Sequence, residues 1–279
     1  MEKPFLVFQT DFTYREGAIA SMYGVVKSID RRLDIFDATH EIPHFDTWSA
    51  SYRLYQYMRF WPQGTIFVSV VDPGVGTARK ACVAKTKDGY YVVTPDNGTL
   101  THISESVGIE EIREIDESVN RLKSTEGTSI FHGRDLFGYC AAKLASGIIT
   151  FEEVGPSYSA DQIVLHQIPK PEMKEGRAVG IFEICDPNFG NLWSNIPVEE
   201  FLKNGFQYGD LLQVTIRHLG EIVYKEKVYF AKTFGYVKKG DPVIYTNELM
   251  KVAIATSMGN FQETYHVDFG YDWIVEFEK

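Results

Sequence analysis

Short apolar stretches alternate with longer amphipathic stretches in the first half of the chain. Residues 5–9, 34–40 and 65–71 predict strands, and the last of these is apolar throughout, as in a sheet covered on both faces. Helical periodicity occupies residues 16–29 and 46–60. Strands that alternate with helices predict an α/β domain with a mostly parallel sheet.

The pattern continues with a hairpin, a short helix and a further strand. Residues 81–86 and 90–95 predict the arms of the hairpin, because Lys87–Gly89 between them are turn formers. A helix is expected over residues 100–107 and a strand over residues 111–115. These elements extend the same α/β domain.

Charged residues lie at a predicted strand-to-helix corner in SIFHGRDLFGYCAAKLASG, residues 129–147. Ser129–Phe131 predict the end of a strand, and helical periodicity begins at Asp135. His132 and Arg134 lie between them, so three ionisable side chains meet at the corner. In the purely structural interpretation, Arg134 and Asp135 pair at a helix start and the histidine is structural. The alternative is that His132 faces a ligand.

The composition changes at residues 168–176, where two prolines, a glycine and mixed charges predict a linker. Beyond it the pattern is of short strands, with helical periodicity only over residues 198–204. The expected organisation is an α/β domain over residues 1–167, the linker, and a smaller β-barrel-like domain over residues 177–279.

Composition excludes several function classes. The net charge of −10 argues against a nucleic-acid partner, which requires a basic surface. The N-terminal apolar run is too short for a signal peptide, and no stretch approaches the ~18 apolar residues of a membrane span. The three cysteines, Cys82, Cys140 and Cys185, are odd in number and far apart, so a disulfide framework is not expected. This cysteine usage predicts a cytoplasmic location.

Polar residues follow several of the predicted strands. Asp11 follows the first strand, Asp72 and Arg79 follow the third, and Asp96 follows the hairpin. The carboxyl ends of parallel strands share one edge of a sheet, which is where ligands of such sheets bind. Together with His132, these residues predict one site at that edge.

Each of these residues also has a structural interpretation. Asp11 is a suitable helix cap, His40 is expected to be a hydrogen-bonded structural histidine, and residues 96–98 have the composition of a turn. Gly74 and Gly76 lack the lysine of a phosphate-binding loop. No histidines have the close spacing of a metal motif, so no metal is expected and a metal site stays a minor alternative.

Several motifs resemble one enzyme family, with the same order and spacing. They are VVDPGVGTARK (70–80), TPDNGTL (94–100), FHGRDLF (131–137) and DPNFGNLWSNI (186–196), with supporting matches at TDF (10–12) and THEIPHFD (39–46). This combination is similar to the S-adenosylmethionine hydroxide adenosyltransferases, the water-using relatives of the fluorinases and chlorinases. The resemblance extends from about residue 5 to residue 277.

The resemblance implies hydrolysis of S-adenosylmethionine to adenosine and methionine by water attack at the ribose C5′. It assigns catalysis to Asp72, Arg79 and His132, with no cofactor and no metal. It also implies a homotrimer in which each site joins one subunit's N-terminal domain to a neighbour's C-terminal domain. Whether Asp72 or His132 is the base stays open.

Further residues match substrate-binding positions of the family. Asp11 matches the ligand of the ribose diol, Asp186 the partner of the methionine ammonium, and Asn191 the partner of the adenine edge. The expected aromatic walls are Phe45, Phe189, Trp193 and Phe234.

Other positions bear on the choice of substrate. The hydroxyl positions of the halide-using relatives hold Val75 and Gly133, so halide use is not expected. Thr13 and Ile130 depart from the usual glycine and threonine, and Glu248 stands where relatives carry serine at the methionine end. A binding protein with little turnover, or a hydrolase of another 5′-substituted adenosine, is therefore the alternative.

Overall fold

A computed structural model describes residues 3–279, and the chain divides into two compact units. The first unit extends to His166 and the second comprises Gln167–Lys279. Within the described residues, no helix combines the length and apolar character that crossing a membrane requires.

The first unit is built on a seven-stranded sheet with the order β2–β1–β3–β5–β4–β6–β7. The strands are β1 (Leu6–Thr10), β2 (Ile35–Thr39), β3 (Ile66–Val70), β4 (Ala81–Thr86), β5 (Tyr91–Pro95), β6 (Ile109–Glu114) and β7 (Ser157–Tyr158). The pairs β1–β2, β1–β3 and β3–β5 are parallel, whereas β4–β5, β4–β6 and β6–β7 are antiparallel. The α/β class is confirmed with a mixed sheet, because the predicted hairpin reverses the chain direction at β4.

Helices cover both faces of this sheet. They are α1 (Ala18–Ile29), α2 (Thr47–Met58), α3 (Thr101–Ser106), α4 (Glu117–Asn120) and α5 (Tyr139–Ser146). Phe8 of β1 packs in one core with Met22 of α1, whereas its neighbour Val7 packs in another with Leu54 of α2. Successive strand residues point to opposite faces, so all five residues of β1 are buried.

The segment before α5 differs from the sequence prediction. Ser129–Phe131 form no strand, and the helical segment begins at Gly133 with a π-helical turn over Gly133–Gly138. Ile130 is 81% exposed, and Phe131 packs edge to face on Phe12 rather than joining the sheet. Ser129–Phe131 thus belong to a loop, and an apolar run as short as Ile130–Phe131 does not distinguish a strand from such a loop.

The second unit contains a closed seven-stranded barrel. The unit has eight strands, of which the last seven form the barrel: β8 (Glu172–Lys174), β9 (Arg177–Asp186), β10 (Asn191–Pro197), β11 (Leu211–His218), β12 (Glu221–Phe230), β13 (Pro242–Thr246), β14 (Lys251–Thr256) and β15 (Trp273–Glu278). The helices of the unit are α6 (Val198–Lys203) and α7 (Phe261–Tyr265). The barrel closes because β9 pairs with both β15 and β10, while β8 adds to β9 outside the ring. Closure leaves no unpaired sheet edge in the ring.

The barrel-like expectation is confirmed, with two local differences. β8 lies inside residues 168–176, so part of the segment predicted as a linker is a strand that pairs with β9. β10 occupies Asn191–Pro197, where sequence analysis recognised a motif without assigning an element. Phe182, Phe230 and Phe277 fill the barrel interior, which explains the alternation of apolar residues along its strands.

Candidate functional site

A cavity of about 510 Å³ opens at the carboxyl ends of β1 and β3. The two strands are parallel neighbours with Thr10 opposite Val70. Asp11, directly after β1, and Asp72, two residues after Val70, therefore both line the cavity. His132 lines it from the residue preceding the π-helical turn. The structure thus brings together residues that sequence analysis placed at one sheet edge.

Arg79 links Asp72 to His132. Its Nε donates to Asp72 Oδ1 at 3.0 Å and its Nη2 donates to Asp72 Oδ2 at 2.5 Å. The same Nη2 lies 2.8 Å from His132 Nδ1. Behind it, the ring centroid of Phe137 is 5.3 Å from the guanidinium carbon. A planar guanidinium can make this double contact, whereas an ammonium cannot reproduce its fork.

The contacts of His132 define its protonation state. Guanidinium groups only donate hydrogen bonds, so Nδ1 accepts from Arg79 and a neutral ring carries its proton on Nε2. His132 is 4% exposed, and burial lowers its pKa, with the positive charge of Arg79 as the next cause. The imidazole is therefore neutral at neutral pH.

A second arginine, not anticipated from the sequence, lies on the other side of His132. Arg121 Nη1 is 3.5 Å from His132 Nε2 and 2.7 Å from Glu117 Oε2, and Nη2 bonds to the carbonyl of Thr128. Arg121 follows α4 in an irregular segment. No periodicity or motif could have placed it beside His132.

Asp11 and Phe45 form another part of this cavity. Asp11 Oδ2 accepts a hydrogen bond from the backbone N–H of Phe45 at 2.9 Å, and burial raises the pKa of Asp11. Phe45 has φ of 67° and a ring that is 70% exposed, although it lines the cavity. A strained backbone that displays an exposed aromatic ring is typical of a ligand contact. Asp11 is thus held by a loop residue rather than capping α1, where the backbone N–H of Ala18 donates to Glu16 Oε1 at 3.0 Å instead.

Other polar residues from the sequence analysis have structural partners. His40 is buried and bonds Thr10 Oγ1 through Nδ1 at 2.8 Å and Asp37 through Nε2 at 3.0 Å, which fixes the end of β1. Asp96 accepts from Tyr158 and from the backbone of Val164. Among residues 3–279, His, Cys, Asp and Glu form no group of three that could hold a metal ion.

The second unit has a separate cavity of about 1000 Å³. Five residues assigned to substrate binding line it, namely Asp186, Phe189, Asn191, Trp193 and Phe234. Its walls are aromatic: Trp193 Nε1 donates to Tyr245 Oη at 3.0 Å, and the rings of Phe234 and Tyr245 lie 4.9 Å apart. The fold therefore gathers all five, with Tyr245 as a wall residue that the sequence analysis missed.

Charged and amide groups complete this second cavity. Asp186, Lys232 and Glu248 line it, and Asp186 and Glu248 both act electrostatically on the Tyr245 hydroxyl, whose pKa is raised mainly by burial. Asn247 also lines it, and the buried Asn247 Nδ2 has no hydrogen-bond partner among the described residues. The cavity thus presents polar groups of both signs within an aromatic enclosure.

Comparison with known proteins shows the family. The family model described as SAM hydroxide adenosyltransferase N-terminal domain matches residues 6–155, and the corresponding C-terminal domain model matches residues 181–274. The chain is 30% identical to the (R)-S-adenosyl-L-methionine hydrolase of Methanocaldococcus jannaschii, covering 95% of this chain and 92% of the relative. It is 28% identical to the fluorinase of Actinoplanes sp. (strain N902-109), covering 96% of this chain and 95% of that enzyme.

A solved structure extends the similarity to the whole fold. The crystal structure of an uncharacterized conserved protein from Thermotoga maritima has a TM-score of 0.88 and 34% sequence identity, covering 99% of this chain and 100% of that one. The family models together cover well over half of the residues, including all ten expected site residues. The chain therefore belongs to the S-adenosylmethionine hydroxide adenosyltransferase family.

Proposed function

We propose that the protein hydrolyses S-adenosylmethionine to adenosine and methionine. The observation that carries this proposal is the buried Asp72–Arg79–His132 arrangement beside a cavity. Three ionisable side chains joined by hydrogen bonds at a cavity edge suit catalysis better than simple binding. Relatives in several organisms carry the name (R)-S-adenosyl-L-methionine hydrolase, which supports the same reaction here.

In the proposed step, a water oxygen attacks the ribose C5′ in line with the C5′–S bond. The C5′–O bond forms, the C5′–S bond breaks, and its electron pair moves to sulfur, so methionine leaves as a neutral thioether. The leaving group needs no proton. The protein's contribution is to orient the water and to accept its proton, since positioning alone supplies a large part of a rate enhancement.

We assign the proton to Asp72 rather than His132. The only acceptor nitrogen of a neutral His132 is occupied by Arg79, and Nε2 then donates. The carboxylate of Asp72 has about four acceptor sites, so it retains acceptor capacity beside Arg79. A water that is forming its bond to carbon becomes strongly acidic, so a carboxylate is a sufficient base. Arg79 and His132 orient the oxygen.

The resemblance to fluorinase raises halide as a rival nucleophile, and the first cavity argues against it. Val75 and Gly133 line that cavity and offer no side-chain donor. A Cβ atom at Gly133 would lie 3.0 Å from the Phe12 ring, so a serine there would displace the ring. Desolvating a small anion requires hydrogen-bond donors in exchange. Water is the nucleophile that this cavity suits.

We propose the (R) sulfonium epimer as the preferred substrate, on the basis of the relatives' names. Glu248 supports one alternative, a hydrolase of another 5′-substituted adenosine, because its carboxylate lines the same cavity as Asp186. An adenosine-binding protein with little turnover is the remaining alternative. These three proposals differ in which compound is consumed.

We further propose a cytoplasmic homotrimer without cofactor or metal. The cavities of the two units each hold part of the expected site, which supports a complete site built from the first cavity of one subunit and the second cavity of a neighbour. Cys82 and Cys140 are buried free thiols, as suits a reducing compartment. The net charge of −10 supports a small-molecule substrate rather than nucleic acid.

The decisive experiment is a product assay. The purified protein is incubated in halide-free buffer with EDTA, with either an epimer mixture of S-adenosylmethionine or the (S) epimer alone, and adenosine and methionine are quantified by chromatography. Equal amounts of both products, formed mainly from the mixture, are expected. Loss of turnover with EDTA contradicts the metal-free mechanism, and an intact substrate contradicts the hydrolase proposal.

Subunit mixing tests the shared site. His132→Ala and Asp186→Ala are each expected to have strongly reduced activity alone. When they are mixed and allowed to exchange subunits, some sites combine an intact first unit with an intact second unit, so activity returns. The mass measured by light scattering is expected to equal that of three chains. A monomeric mass, or no recovery after verified exchange, contradicts the shared site.

A further inference from the structure

We propose that Arg121 is a positioning residue for His132, and that with Glu117 it holds the imidazole between two guanidinium groups. This inference rests on the proposed function, because it gives His132 a defined part in orienting the water. It concerns a residue outside the Asp72–Arg79–His132 arrangement. Arg121 itself lines neither cavity, so its effect passes through His132.

The position of Arg121 is set from two sides. Glu117, the first residue of α4, accepts a hydrogen bond from Nη1 at 2.7 Å, and the carbonyl of Thr128 accepts one from Nη2. The side chain is 11% exposed. Thr128 belongs to the loop that leads directly to His132, so the same guanidinium ties α4 to that loop. An arginine held at both terminal nitrogens has little freedom to move away.

The contact between Arg121 and His132 is electrostatic rather than a hydrogen bond. His132 Nδ1 accepts from Arg79, so in the neutral ring Nε2 carries a proton and faces Arg121 Nη1 at 3.5 Å. Two donors cannot bond to each other. The neighbouring positive charge instead disfavours a further positive charge on the ring.

This effect protects the link between His132 and Arg79. A protonated imidazole donates from both nitrogens, so it could no longer accept from Arg79. Burial is the largest cause of the lowered pKa of His132 and the charge of Arg79 comes second; Arg121 acts in the same direction, after the larger opposing effect of Glu117. Glu117 and Asp72 act in the opposite direction.

Three more ionisable groups line the first cavity together with His132, namely Asp11, Glu16 and His44. The carboxylates of Asp11 and Glu16 favour an imidazolium, and a protonated His44 disfavours it. The positive charge of Arg121 therefore opposes the effect of the cavity carboxylates on the protonation of His132. It extends the pH range over which His132 stays neutral and bonded to Arg79.

The test measures the titration of His132 by NMR in histidine-labelled protein, together with kcat and KM across pH. Arg121→Gln removes the charge, and His132 is expected to titrate about one pH unit higher than in the unaltered protein. The acidic limb of kcat should move upward by a similar amount, while KM at pH 8 stays unchanged. Arg121→Lys retains the charge and should restore most of the original titration.

Glu117→Gln is expected to shift the His132 titration in the opposite direction. It removes a carboxylate that favours the imidazolium, so His132 should titrate lower than in the unaltered protein. The matched control is Arg32→Gln, which removes an arginine from an exposed pair with Asp30. This control should leave the His132 titration unchanged. Glu117→Gln also keeps the test available if Arg121→Gln does not fold.

A purely structural role predicts a different outcome. Arg121→Gln would then lower the melting temperature while the His132 titration and the pH profile superimpose on the originals, which would overturn the inference. The NMR titration needs no turnover. If His132 titrates higher in Arg121→Gln and lower in Glu117→Gln but the protein hydrolyses nothing, only the proposed function is refuted. If the protein is a hydrolase and the His132 titration is the same in both variants, only the role of Arg121 is refuted.

Discussion

Arg79 donates a hydrogen bond to Nδ1 of His132 across 2.8 Å, and this contact joins residues that are 53 positions apart in the chain. It determines which imidazole nitrogen carries the proton and in which direction the ring points. The hydrogen bond also requires a neutral His132 ring, because an imidazolium has no acceptor nitrogen. The chemistry of the site therefore depends on one guanidinium that bonds to two partners.

Replacing His132 with alanine is expected to reduce kcat by about 10²-fold, because the water that it orients is then misplaced. The affinity for adenosine, measured by calorimetry, should change little, because the imidazole is assigned to the water rather than to the nucleoside. His218→Ala is a suitable control, since His218 stacks on Trp273 and lines neither cavity. Normal turnover in His132→Ala would remove His132 from the mechanism.

The activity should fall as the pH decreases through a pKa below 6.5. Burial and Arg79 lower the pKa of His132, so the imidazole stays neutral to a more acidic pH than in a free peptide. Once protonated, it loses the bond from Arg79. A plot of kcat against pH tests this, and an acidic limb centred above 6.5 would contradict it.

The same lowered pKa has a consequence for stability. The unfolded imidazole binds its proton near the ordinary value of about 6.5, whereas the folded one does not. The unfolded state then binds more protons in the range just below that value, so the free energy of unfolding rises with pH there. Urea unfolding at several pH values should show this slope, and His132→Gln should reduce it. An equal slope in the variant would assign the effect to other groups.

Arg79→Lys is expected to lower kcat by about 10²-fold although the positive charge is kept. An ammonium cannot bond both oxygens of Asp72 and the ring of His132 in this geometry. Arg32→Lys, at an exposed pair, should have no effect on kcat. Arg79→Ala leaves the buried Asp72 without its partner and should cost about 3–5 kcal/mol of the free energy of unfolding. A fully active Arg79→Lys variant would show that charge alone suffices.

Much of the first unit could be predicted from the sequence because local patterns determine it. The apolar residues of β1 and β3 and the turn residues of the β4–β5 hairpin carry clear periodicity signals. Asp11 and Asp72 could be placed together, since parallel neighbours end at one sheet edge. Motif resemblance assigned Arg79 and His132 to the same site as Asp72.

Other features depend on long-range packing that no local pattern records. Ile130 and Phe131 are apolar like the end of a strand, yet they have no partner strand and Phe131 packs on Phe12 instead. The closure of the barrel requires β9 to pair on both sides, which is a property of the whole unit. Arg121 reaches His132 only because an irregular segment folds back on itself. The positions of such residues can be found only from the structure.

Glu248→Ser is expected to lower KM for S-adenosylmethionine about 10-fold with little change in kcat. Asp186 and Glu248 both line the second cavity, and a second carboxylate there repels the carboxylate of a bound methionine group. Glu226→Ser, on an exposed position of β12, is the control. An increase in KM would mean that Glu248 binds the substrate, and would favour a substrate with an additional cationic group.

Phe45 allows binding to be separated from backbone strain. Its φ of 67° is unfavourable for residues with a Cβ atom, while its exposed ring lines the first cavity. Phe45→Ala and Phe45→Gly both remove the ring, so both should raise KM about 10-fold, as expected when an adenine loses an aromatic contact. Only glycine relieves the strain.

Phe45→Gly should therefore be more stable than Phe45→Ala by about 1 kcal/mol in urea unfolding. Equal KM values with unequal stabilities would show that the ring binds the substrate and that the left-handed backbone serves to present it. The backbone N–H at position 45 continues to bond Asp11 in both variants, so the carboxylate stays in place. An unchanged KM would remove Phe45 from the binding site, and a more stable alanine variant would show that the loop relaxes once the ring is gone.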